Sequence, residues 1–265
     1  MSFFDFQYPV VFAHRGGSAL GPENTFAAFD MGMRAGADGL ELDVHLSADG
    51  VPVVHHDTTL DRTTSVSGPL AARTAADLAR VDAGYRFSLG GDFPFRGQGV
   101  WIPSLSDVLR TYPDVPLIVE MKVDSRDMGE AVARAVRTAG AADRVCAAGF
   151  GARSAAAARA ALPEMACSAT RPEARLAVYR ALAGWPVRRA RYGGYQVPER
   201  TRLLRVVSPR FIRYAHEAGV KVQVWTVDEE EDMRRLLSWG VDGLISDRPD
   251  LAVAVRDTVV PDYAR

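Results

Sequence analysis

The stretch LIVEMKVDSRDMGEAVARAVRTAGAADRVCAAGF, residues 117–150, contains the pattern that decides the fold. It begins and ends with short apolar runs, Leu117–Val123 and Arg144–Phe150, whose length and composition are typical of buried strands. Between them, the apolar residues of Met128–Ala139 recur at helical spacing, and Gly140 follows where a helix commonly ends. The stretch therefore predicts a strand–helix–strand unit, and such a connection favours two parallel strands.

The same alternation continues along nearly the whole chain. Further strands are predicted at Val10–Ala13, Gly39–Leu46, Val51–His56, Met165–Ala169, Gly194–Val197, Val220–Val227 and Gly243–Ser246. Further helices are predicted at Asn24–Ala35, Thr74–Val81, Leu105–Thr111, Arg153–Leu162, Glu173–Ala183, Pro209–Ala218 and Glu229–Trp239, with Asn24 as the expected N-cap of the first. Eight such units in 265 residues give about 33 residues each, the repeat of a (β/α)8 barrel. We therefore predict an α/β fold of the TIM-barrel type, with residues 1–265 forming a single domain.

Two stretches depart from this alternation of strands and helices. Val51–His56 follows Asp49-Gly50, a strong hairpin signal, so it is interpreted as an antiparallel excursion from the second barrel strand. Residues 82–102 are predicted to be a short insertion after the second strand, because Asp82–Gly99 is rich in glycine; loops of this length often serve as lids. A doubly wound sheet is the competing fold, but no glycine-rich phosphate-binding fingerprint follows the first strand.

The composition excludes several classes of protein. With 48% hydrophobic and 25% charged residues, the chain is neither disordered nor collagen-like, and two cysteines are too few for a disulfide scaffold. A net charge of −1 argues against a nucleic-acid partner. No apolar run is long enough for stable membrane insertion, and residues 1–6 do not resemble a signal peptide, so we expect a cytoplasmic protein. Nothing in the sequence indicates an oligomeric state.

The ends of the first two predicted strands carry the most conspicuous polar residues. In a barrel of this type, functional groups lie at the carboxyl ends of the strands. His14 and Arg15 end the first strand, and Arg is suited to binding phosphate with two hydrogen bonds. Glu41 and Asp43 lie two residues apart on the second strand, which puts both carboxylates on one face. Two such carboxylates repel each other unless a cation or proton lies between them, and their oxygens suit Mg²⁺ or Ca²⁺.

Glu120 and Lys122 repeat this spacing on the next barrel strand. Their pairing is explained either by an internal salt bridge or by a need for a compact positive charge, since only two of the 32 basic residues are lysines. His55 and His56 are adjacent in a strand, so at most one of them faces the site, and strand parity alone does not decide which. Trp225 lies near a strand end, where it either lines a pocket or packs inside the barrel.

Taken together, the motifs resemble those of the glycerophosphodiester phosphodiesterases, in the bacterial form with a short insertion. The matching motifs, in chain order, are His14-Arg15-Gly16, Pro22-Glu23-Asn24-Thr25, Glu41-Leu42-Asp43-Val44, Asp49–Asp57, Leu60–Thr64, Ile102–Leu105, Glu120-Met121-Lys122, Val224–Val227 and Gly243–Pro249. The resemblance covers essentially the whole chain except residues 151–191, and so many motifs in one order are specific to the family.

The resemblance implies a TIM-barrel enzyme that uses a divalent metal, Mg²⁺ or Ca²⁺, to hydrolyse glycerophosphodiesters to sn-glycerol 3-phosphate and an alcohol. The implied metal ligands are Glu41, Asp43 and Glu120. The implied acid/base pair is His14 and His56, which would resolve the choice between the two adjacent histidines. Arg15 and Lys122 would hold the phosphate, and Trp225 would line the glycerol side. Asp228 stands where the family often has asparagine.

Two alternative functions stay open at this point. A lysophospholipase D-like enzyme of the same family would need an apolar groove, which Phe87, Phe93, Phe95 and Trp101 supply unless they form a small core of their own insertion. A catalytically silent barrel that binds a phosphorylated metabolite is disfavoured, because silent members typically lose a histidine or a metal carboxylate and this chain keeps both kinds.

Overall fold

Parallel strands joined by helices form a ring around a shared interior. The computed structural model describes residues 3–187, 189–202 and 204–260. Its strands are β1 (Val10–Ala13), β2 (Gly39–Leu46), β3 (Pro52–Val54), β4 (Leu117–Met121), β5 (Val145–Ala148), β6 (Ala166–Cys167), β7 (Gly194–Pro198), β8 (Lys221–Trp225) and β9 (Gly243–Ser246). The order around the ring is β6-β5-β4-β2-β1-β9-β8-β7, with parallel neighbours throughout. A parallel bridge between Ser168 and Gly194 joins the two ends of this order. The predicted (β/α)8 barrel is confirmed.

The predicted antiparallel excursion is also confirmed, although it is shorter than expected. β3 pairs with the end of β2, from Val44 opposite Val54 to Leu46 opposite Pro52. His55 and His56 follow the end of β3, and the backbone N–H of His55 still donates to the carbonyl oxygen of Asp43 on β2.

The helices surround the strands as the alternation predicts. They are α1 (Phe26–Arg34), α2 (Ala75–Leu78), α3 (Leu105–Thr111), α4 (Arg126–Thr138), α5 (Ala152–Ala161), α6 (Arg171–Leu182), α7 (Pro209–Glu217), α8 (Glu230–Ser238) and α9 (Pro249–Val259). Helix α9 has no counterpart among the predicted helices. Arg256, only 2% exposed, anchors α9 by pairing with Asp38, next to β2, and with Asp257. Prediction from hydrophobic periodicity assigns an arginine to the surface, so it does not recognise a helix that is anchored by a buried arginine.

The prediction that Asn24 caps α1 is wrong. Thr25 caps the helix, because its Oγ1 accepts a hydrogen bond from the backbone N–H of Ala28. Asn24 instead has a φ of 59°, in the left-handed region that asparagine tolerates, and its side chain points elsewhere. Helix α1 also approaches the end of β1 closely: a Cβ on Gly32 would lie 2.5 Å from the carbonyl oxygen of Gly16. Only glycine at position 32 permits this contact, which fixes the loop that follows β1.

The apolar core between strands and helices falls into two parts. One part, the first-half core, joins β2, β4 and β5 to helices α1, α3, α4 and α5. The other, the second-half core, joins β7, β8 and β9 to helices α6 to α9. The two parts meet at β6, the shortest strand of the ring, and again at β1, which contributes Ala13 to the first-half core and Val11 to the second-half core. Inside the ring, Phe12, Ile118 and Ile245 form a third cluster.

Aromatic side chains from the segment before β1 close the amino-terminal end of the ring. The ring of Phe3 stacks on that of Phe12 at 5.8 Å between centroids. Phe4 packs so closely on Gly193 and Gly194 that a Cβ on either would lie within 2.5 Å of its ring. The interior is therefore accessible from the opposite end of the strands.

The insertion at residues 82–102 lies between α2 and α3 and packs on itself. Phe87 contacts Phe95 edge to face at 5.5 Å, and the guanidinium of Arg96 lies 3.8 Å from the centre of the Phe93 ring. Trp101 packs on Phe26 of α1 at 6.1 Å. The aromatic residues were predicted either to form an apolar groove or to form a small core within the insertion. Their packing favours the small core.

Within the described ranges, no helix has both the length and the apolar character needed to cross a membrane. The cytoplasmic location stays a prediction, as does the assignment of residues 1–265 to one domain. Residues 1–2, 188, 203 and 261–265 of that predicted domain lie outside the described residues.

Candidate active site

A cavity of about 460 Å³ opens at the carboxyl ends of the barrel strands. This volume lies within the range of ordinary small-molecule sites. All eight site residues predicted from the sequence contribute to its lining: His14, Arg15, Glu41, Asp43, His56, Glu120, Lys122 and Trp225. The barrel therefore brings together residues from strands β2, β4 and β8 and from the segments that directly follow β1, β3 and β4.

Three carboxylates form the floor of one side of this cavity. Asp43 on β2 lies directly opposite Glu120 on the adjacent strand β4, and Glu41 is two residues before Asp43 on the same face. Oxygens of the three groups lie within 4.8 Å of one another. Glu41 and Asp43 are 4% and 1% exposed. Burial, and then the charge of Asp43, raise the pKa of Glu41 to about 8. A cation among these oxygens would remove that penalty, so the donor set fits a hard divalent metal ion.

Two basic residues face the same carboxylates. Lys122 Nζ lies 2.8 Å from Glu120 Oε1 and 3.3 Å from Asp43 Oδ1, and Arg15 Nε lies 3.2 Å from Asp43 Oδ2. Burial would raise the pKa of Asp43, but the charges of Lys122 and Arg15 outweigh it and the pKa is lowered. Asp43 is consequently ionised, and both cations are held at the edge of the cavity with donors available to an anionic ligand.

Each cavity histidine is held by a carboxylate through Nδ1. His14 Nδ1 lies 2.6 Å from Asp247 Oδ1, and His56 Nδ1 lies 2.6 Å from Asp57 Oδ1. This pairing puts a proton on each Nδ1 and leaves each Nε2 to exchange protons with a ligand. Burial lowers the pKa of His14, but the hydrogen bond to Asp247 and the charge of Glu41 outweigh burial, so the pKa is raised.

The structure distinguishes the two adjacent histidines after β3. His56 lines the cavity, whereas His55 is buried and its Nε2 lies 3.1 Å from the carbonyl oxygen of Thr59. His45, on the same strand face as the carboxylates, lies behind the site, where its Nε2 is 2.9 Å from the carbonyl oxygen of His56. It thus supports the turn that presents His56.

Asn24 is a site residue that the sequence pattern misassigned as a helix cap. Its Nδ2 donates to Asp43 Oδ2 at 2.9 Å, and its Oδ1 accepts from the backbone N–H of Asp43 at 3.2 Å. Asn24 is 2% exposed, so these bonds are shielded from water. The Pro22-Glu23-Asn24-Thr25 motif was the available signal, but its local chemistry also suits the start of a helix.

A chain of ion pairs, also missed by the sequence analysis, surrounds the phosphate-binding candidates. Arg15 Nη1 lies 3.0 Å from Glu23 Oε1, and Arg62 contacts both Glu23 and Asp57 at 2.6 Å. The pKa of Glu23 is lowered because the hydrogen bond and charges from Arg62 and Arg15 outweigh its burial. The chain therefore connects Arg15, at the end of β1, with the carboxylate that holds His56.

Asp228 takes part in the support of the other histidine. Its Oδ1 accepts hydrogen bonds from the Ser246 hydroxyl at 3.0 Å and from the backbone N–H of Asp247 at 2.8 Å. It thereby fixes the end of β9, from which Asp247 reaches His14. No local pattern indicates the contact between Asp247 and His14, because these residues are far apart in the chain and meet only when the barrel closes.

The remaining wall of the cavity is largely apolar. Trp225 contacts Phe150 at 6.0 Å between ring centroids, with the rings tilted toward an edge-to-face arrangement. Farther from the carboxylates, Val178 and Tyr179 of α6 face Leu204 in the β7–α7 connection. The aromatic residues of the insertion do not contribute to the described lining of this cavity.

Comparisons with known proteins agree with this geometry. Residues 14–251 match the model of the Glycerophosphoryl diester phosphodiesterase family. A glycerophosphodiester phosphodiesterase from Caldanaerobacter subterraneus is 33% identical over 249 residues, covering 92% of this chain and 96% of the relative. The crystal structure of a glycerophosphodiester phosphodiesterase from Agrobacterium tumefaciens aligns with a TM-score of 0.76 at 30% identity, covering 94% of this chain and 99% of the other.

A phosphodiesterase from Oleispira antarctica, solved in complex with the product sn-glycerol-3-phosphate, aligns with a TM-score of 0.78 at 26% identity. The alignment covers 97% of this chain and 100% of that one. Three findings agree: the family model matches most of the chain, the chain covers nearly the whole length of its relatives, and the cavity lies at the carboxyl ends of the strands. This chain belongs to the glycerophosphoryl diester phosphodiesterase family of enzymes.

Proposed function

We propose that the enzyme hydrolyses glycerophosphodiesters to sn-glycerol 3-phosphate and an alcohol, with Mg²⁺ or Ca²⁺ bound by Glu41, Asp43 and Glu120. One observation carries the proposal: a carboxylate cluster and two carboxylate-anchored histidines line the same cavity. The naming of related proteins as glycerophosphodiester phosphodiesterases supports the substrate class, and the product complex of the Oleispira enzyme supports the product.

The charges of the cavity suit the reaction. A phosphodiester is an anion, and nucleophilic attack adds negative charge to its non-bridging oxygens. The bound cation would supply Lewis-acid stabilisation of that charge. Arg15 and Lys122, both held beside Asp43, would donate hydrogen bonds to the phosphate oxygens as the charge develops. Since the cavity is walled by apolar residues, these interactions are stronger there than in bulk water.

The two histidines are suited to proton transfer. We assign His14 and His56 as the acid/base pair, in which the Nε2 of one takes a proton from the nucleophile and the Nε2 of the other protonates the leaving alkoxide. Asp247 and Asp57 fix the ring orientation and tautomer needed for this exchange. Trp225 would lie along the glycerol side of the substrate, where an aromatic face covers the carbon atoms while leaving the hydroxyls accessible.

The test is hydrolysis of glycerophosphocholine by the purified protein with Mg²⁺ or Ca²⁺. EDTA should abolish release of glycerol 3-phosphate. His14→Ala and His56→Ala should each lower kcat by about a thousandfold. His216→Ala is the matched control, because His216 is a partly exposed histidine paired with Asp242 away from the cavity. Turnover that is unchanged in either cavity variant, or that survives removal of the metal, would contradict the assigned roles.

A second substrate class is favoured by one specific observation. The cavity wall formed by Val178, Leu204 and Val206 is apolar, which suits the acyl chain of a lysophospholipid better than a hydrophilic alcohol. Comparing lysophosphatidylcholine with glycerophosphocholine under the same metal conditions distinguishes the two. A kcat/KM at least about tenfold higher for the acylated substrate would assign the enzyme to the lysophospholipase D-like group.

A further inference from the structure

The positive charge of this chain is concentrated in one segment. Residues 171–213 contain eleven arginines, two glutamates and no aspartate or lysine, a net charge of +9 in a chain whose total is −1. This segment runs from the start of α6 through β7 into α7. The rest of the protein is therefore acidic, and the field of this segment differs in sign from that of its surroundings.

Among the residues that the structure describes, most of these arginines form no ion pair. Of the two glutamates of the segment, Glu173 pairs with Arg159 from outside it. Glu199 pairs with Arg235 from outside it through two hydrogen bonds, and also with Arg200 and Arg205 of the segment itself. Within the described part of the chain, none of Arg171, Arg175, Arg189, Arg191 and Arg202 forms an ion pair, and all five are exposed. Their guanidinium groups are available to an external anion.

The same segment exposes large apolar side chains. On α6, Leu176, Tyr179 and Leu182 are 57%, 55% and 55% exposed, and Trp185 just beyond the helix is 68% exposed. Within α6, the three-residue spacing of Leu176, Tyr179 and Leu182 keeps these side chains on neighbouring parts of the helix surface. The opposite side of α6 is already occupied, because Ala177, Val178 and Ala181 pack in the second-half core. An ordinary surface helix would have polar residues where these side chains are exposed.

This surface is continuous with the active-site cavity. Arg171, Arg175 and Tyr179 lie both on the outer side of α6 and in the lining of the cavity. The guanidinium of Arg171 also covers the half-exposed ring of Phe150, 4.7 Å from its centre. The mouth of the cavity is thus bordered by arginines and apolar side chains on the α6 side.

We propose that the outer side of α6, with the α6–β7 connection that follows it, binds an anionic lipid surface, so that the cavity opens toward the membrane. We call this surface the α6 face and define it by Arg175, Leu176, Leu182, Trp185, Arg189 and Arg191. Leucine and tryptophan side chains enter the interfacial layer of a bilayer, and neighbouring arginines bind its anionic headgroups. A nucleic acid would use the arginines but would leave the leucines exposed, which favours lipid as the occupant.

Vesicle binding by the intact protein tests this surface without any hydrolysis. In EDTA, the protein should sediment with phosphatidylcholine vesicles that contain about 30% phosphatidylserine, and more weakly with pure phosphatidylcholine. Added salt should weaken the binding. The paired substitutions Leu176→Ser with Trp185→Ser, and Arg189→Glu with Arg191→Glu, should each lower vesicle partitioning by about tenfold or more.

Matched controls come from exposed residues in other segments. Leu89→Ser and Arg80→Glu remove an exposed leucine and an exposed arginine outside the α6 face, and should leave vesicle binding unchanged. None of the substituted positions lines the cavity, so hydrolysis of a soluble diester should be the same for all variants. Equal vesicle binding by wild type, α6-face variants and controls would overturn the proposal. So would retention on duplex DNA without binding to vesicles, which would make a nucleic acid the occupant.

Discussion

Asn24→Ala should both destabilise the fold and impair the site, because one side chain holds a buried carboxylate in two ways. Asn24 Nδ2 donates to the carboxylate of Asp43, and Asn24 Oδ1 accepts from the Asp43 backbone N–H, at 2.9 and 3.2 Å. Both residues are at most 2% exposed, so water does not readily replace the lost partner. The backbone at position 24 also has a φ of 59°, which alanine adopts less readily than asparagine.

The expected cost follows from these contacts. A hydrogen bond to a charged group contributes about 1.5–3 kcal/mol, and a buried N–H left without a partner costs about 1–3 kcal/mol. The left-handed backbone adds about 1 kcal/mol for alanine. Arg15 and Lys122 still pair with Asp43 in the variant, so the lower half of each range applies. We expect the free energy of unfolding to fall by about 4 kcal/mol, or the Tm by roughly 8 °C.

Urea and thermal unfolding measure this cost, and hydrolysis of glycerophosphocholine measures its effect on the site. Asn24→Gly removes the same hydrogen bonds but tolerates the backbone angle, so it should be less destabilising than Asn24→Ala. Thr25→Ala is the neighbouring control: it removes the cap of α1, costs about 1 kcal/mol and leaves Asp43 untouched. Equal loss of stability in Asn24→Ala and Thr25→Ala, with hydrolysis unchanged in both, would refute the assigned role.

Three further predictions concern the charged groups of the cavity. The pKa of Glu41 is about 8 in the folded protein and 4.5 in the unfolded chain. Without metal, the folded protein therefore binds more protons than the unfolded chain between these pH values. The free energy of unfolding should fall as pH rises through this range, by up to about 1.4 kcal/mol per pH unit. Glu41→Gln should remove that slope in urea unfolding in EDTA, while abolishing hydrolysis. Mg²⁺ or Ca²⁺ at about one hundred times its Kd should stabilise the wild type by about 2.7 kcal/mol, and Glu120→Gln should sharply reduce the accompanying rise in Tm. Asp247→Asn should lower the pKa of His14, because Asp247 raises this pKa against the effect of burial. The limb of the kcat/KM profile that His14 controls should therefore move to lower pH, the acidic limb if His14 is the base and the basic limb if it is the acid.

Strands buried on both faces were predicted most accurately from the sequence. The bounds of β1, β2 and β9 agree with the predicted Val10–Ala13, Gly39–Leu46 and Gly243–Ser246. β1 and β9 are short, mostly apolar runs, as expected of strands buried in a parallel barrel, whereas β2 alternates apolar and polar residues. The predicted Leu117–Val123 ends earlier, at Met121. The next residue, Lys122, still donates its backbone N–H to the carbonyl oxygen of Val44 on β2, and its side chain reaches the carboxylates.

Site residues on one strand were also predictable, whereas their supports were not. Glu41 and Asp43 share a strand face by simple alternation, so their proximity follows from the sequence. The Asp247–His14 pair joins the ends of β9 and β1, strands that become neighbours only through closure of the ring. The contacts of Glu23 with Arg15 and Arg62 likewise depend on how separate loops meet. Hydrophobic periodicity contains no information on such contacts.

The joint between β6 and β7 is where we expect the barrel to open first. Strand β6 has two residues, and its link to β7 consists of a single bridge with hydrogen bonds from Ala169 to Gly194 and from Gly193 to Cys167. These amides should exchange with deuterium before those of β2 and β4, which share a longer ladder. Local unfolding at this joint would loosen α6 and the apolar wall while the carboxylate cluster keeps its geometry. Under the proposed function, substrate entry beside α6 and retention of the metal would then belong to different cooperative units of the barrel.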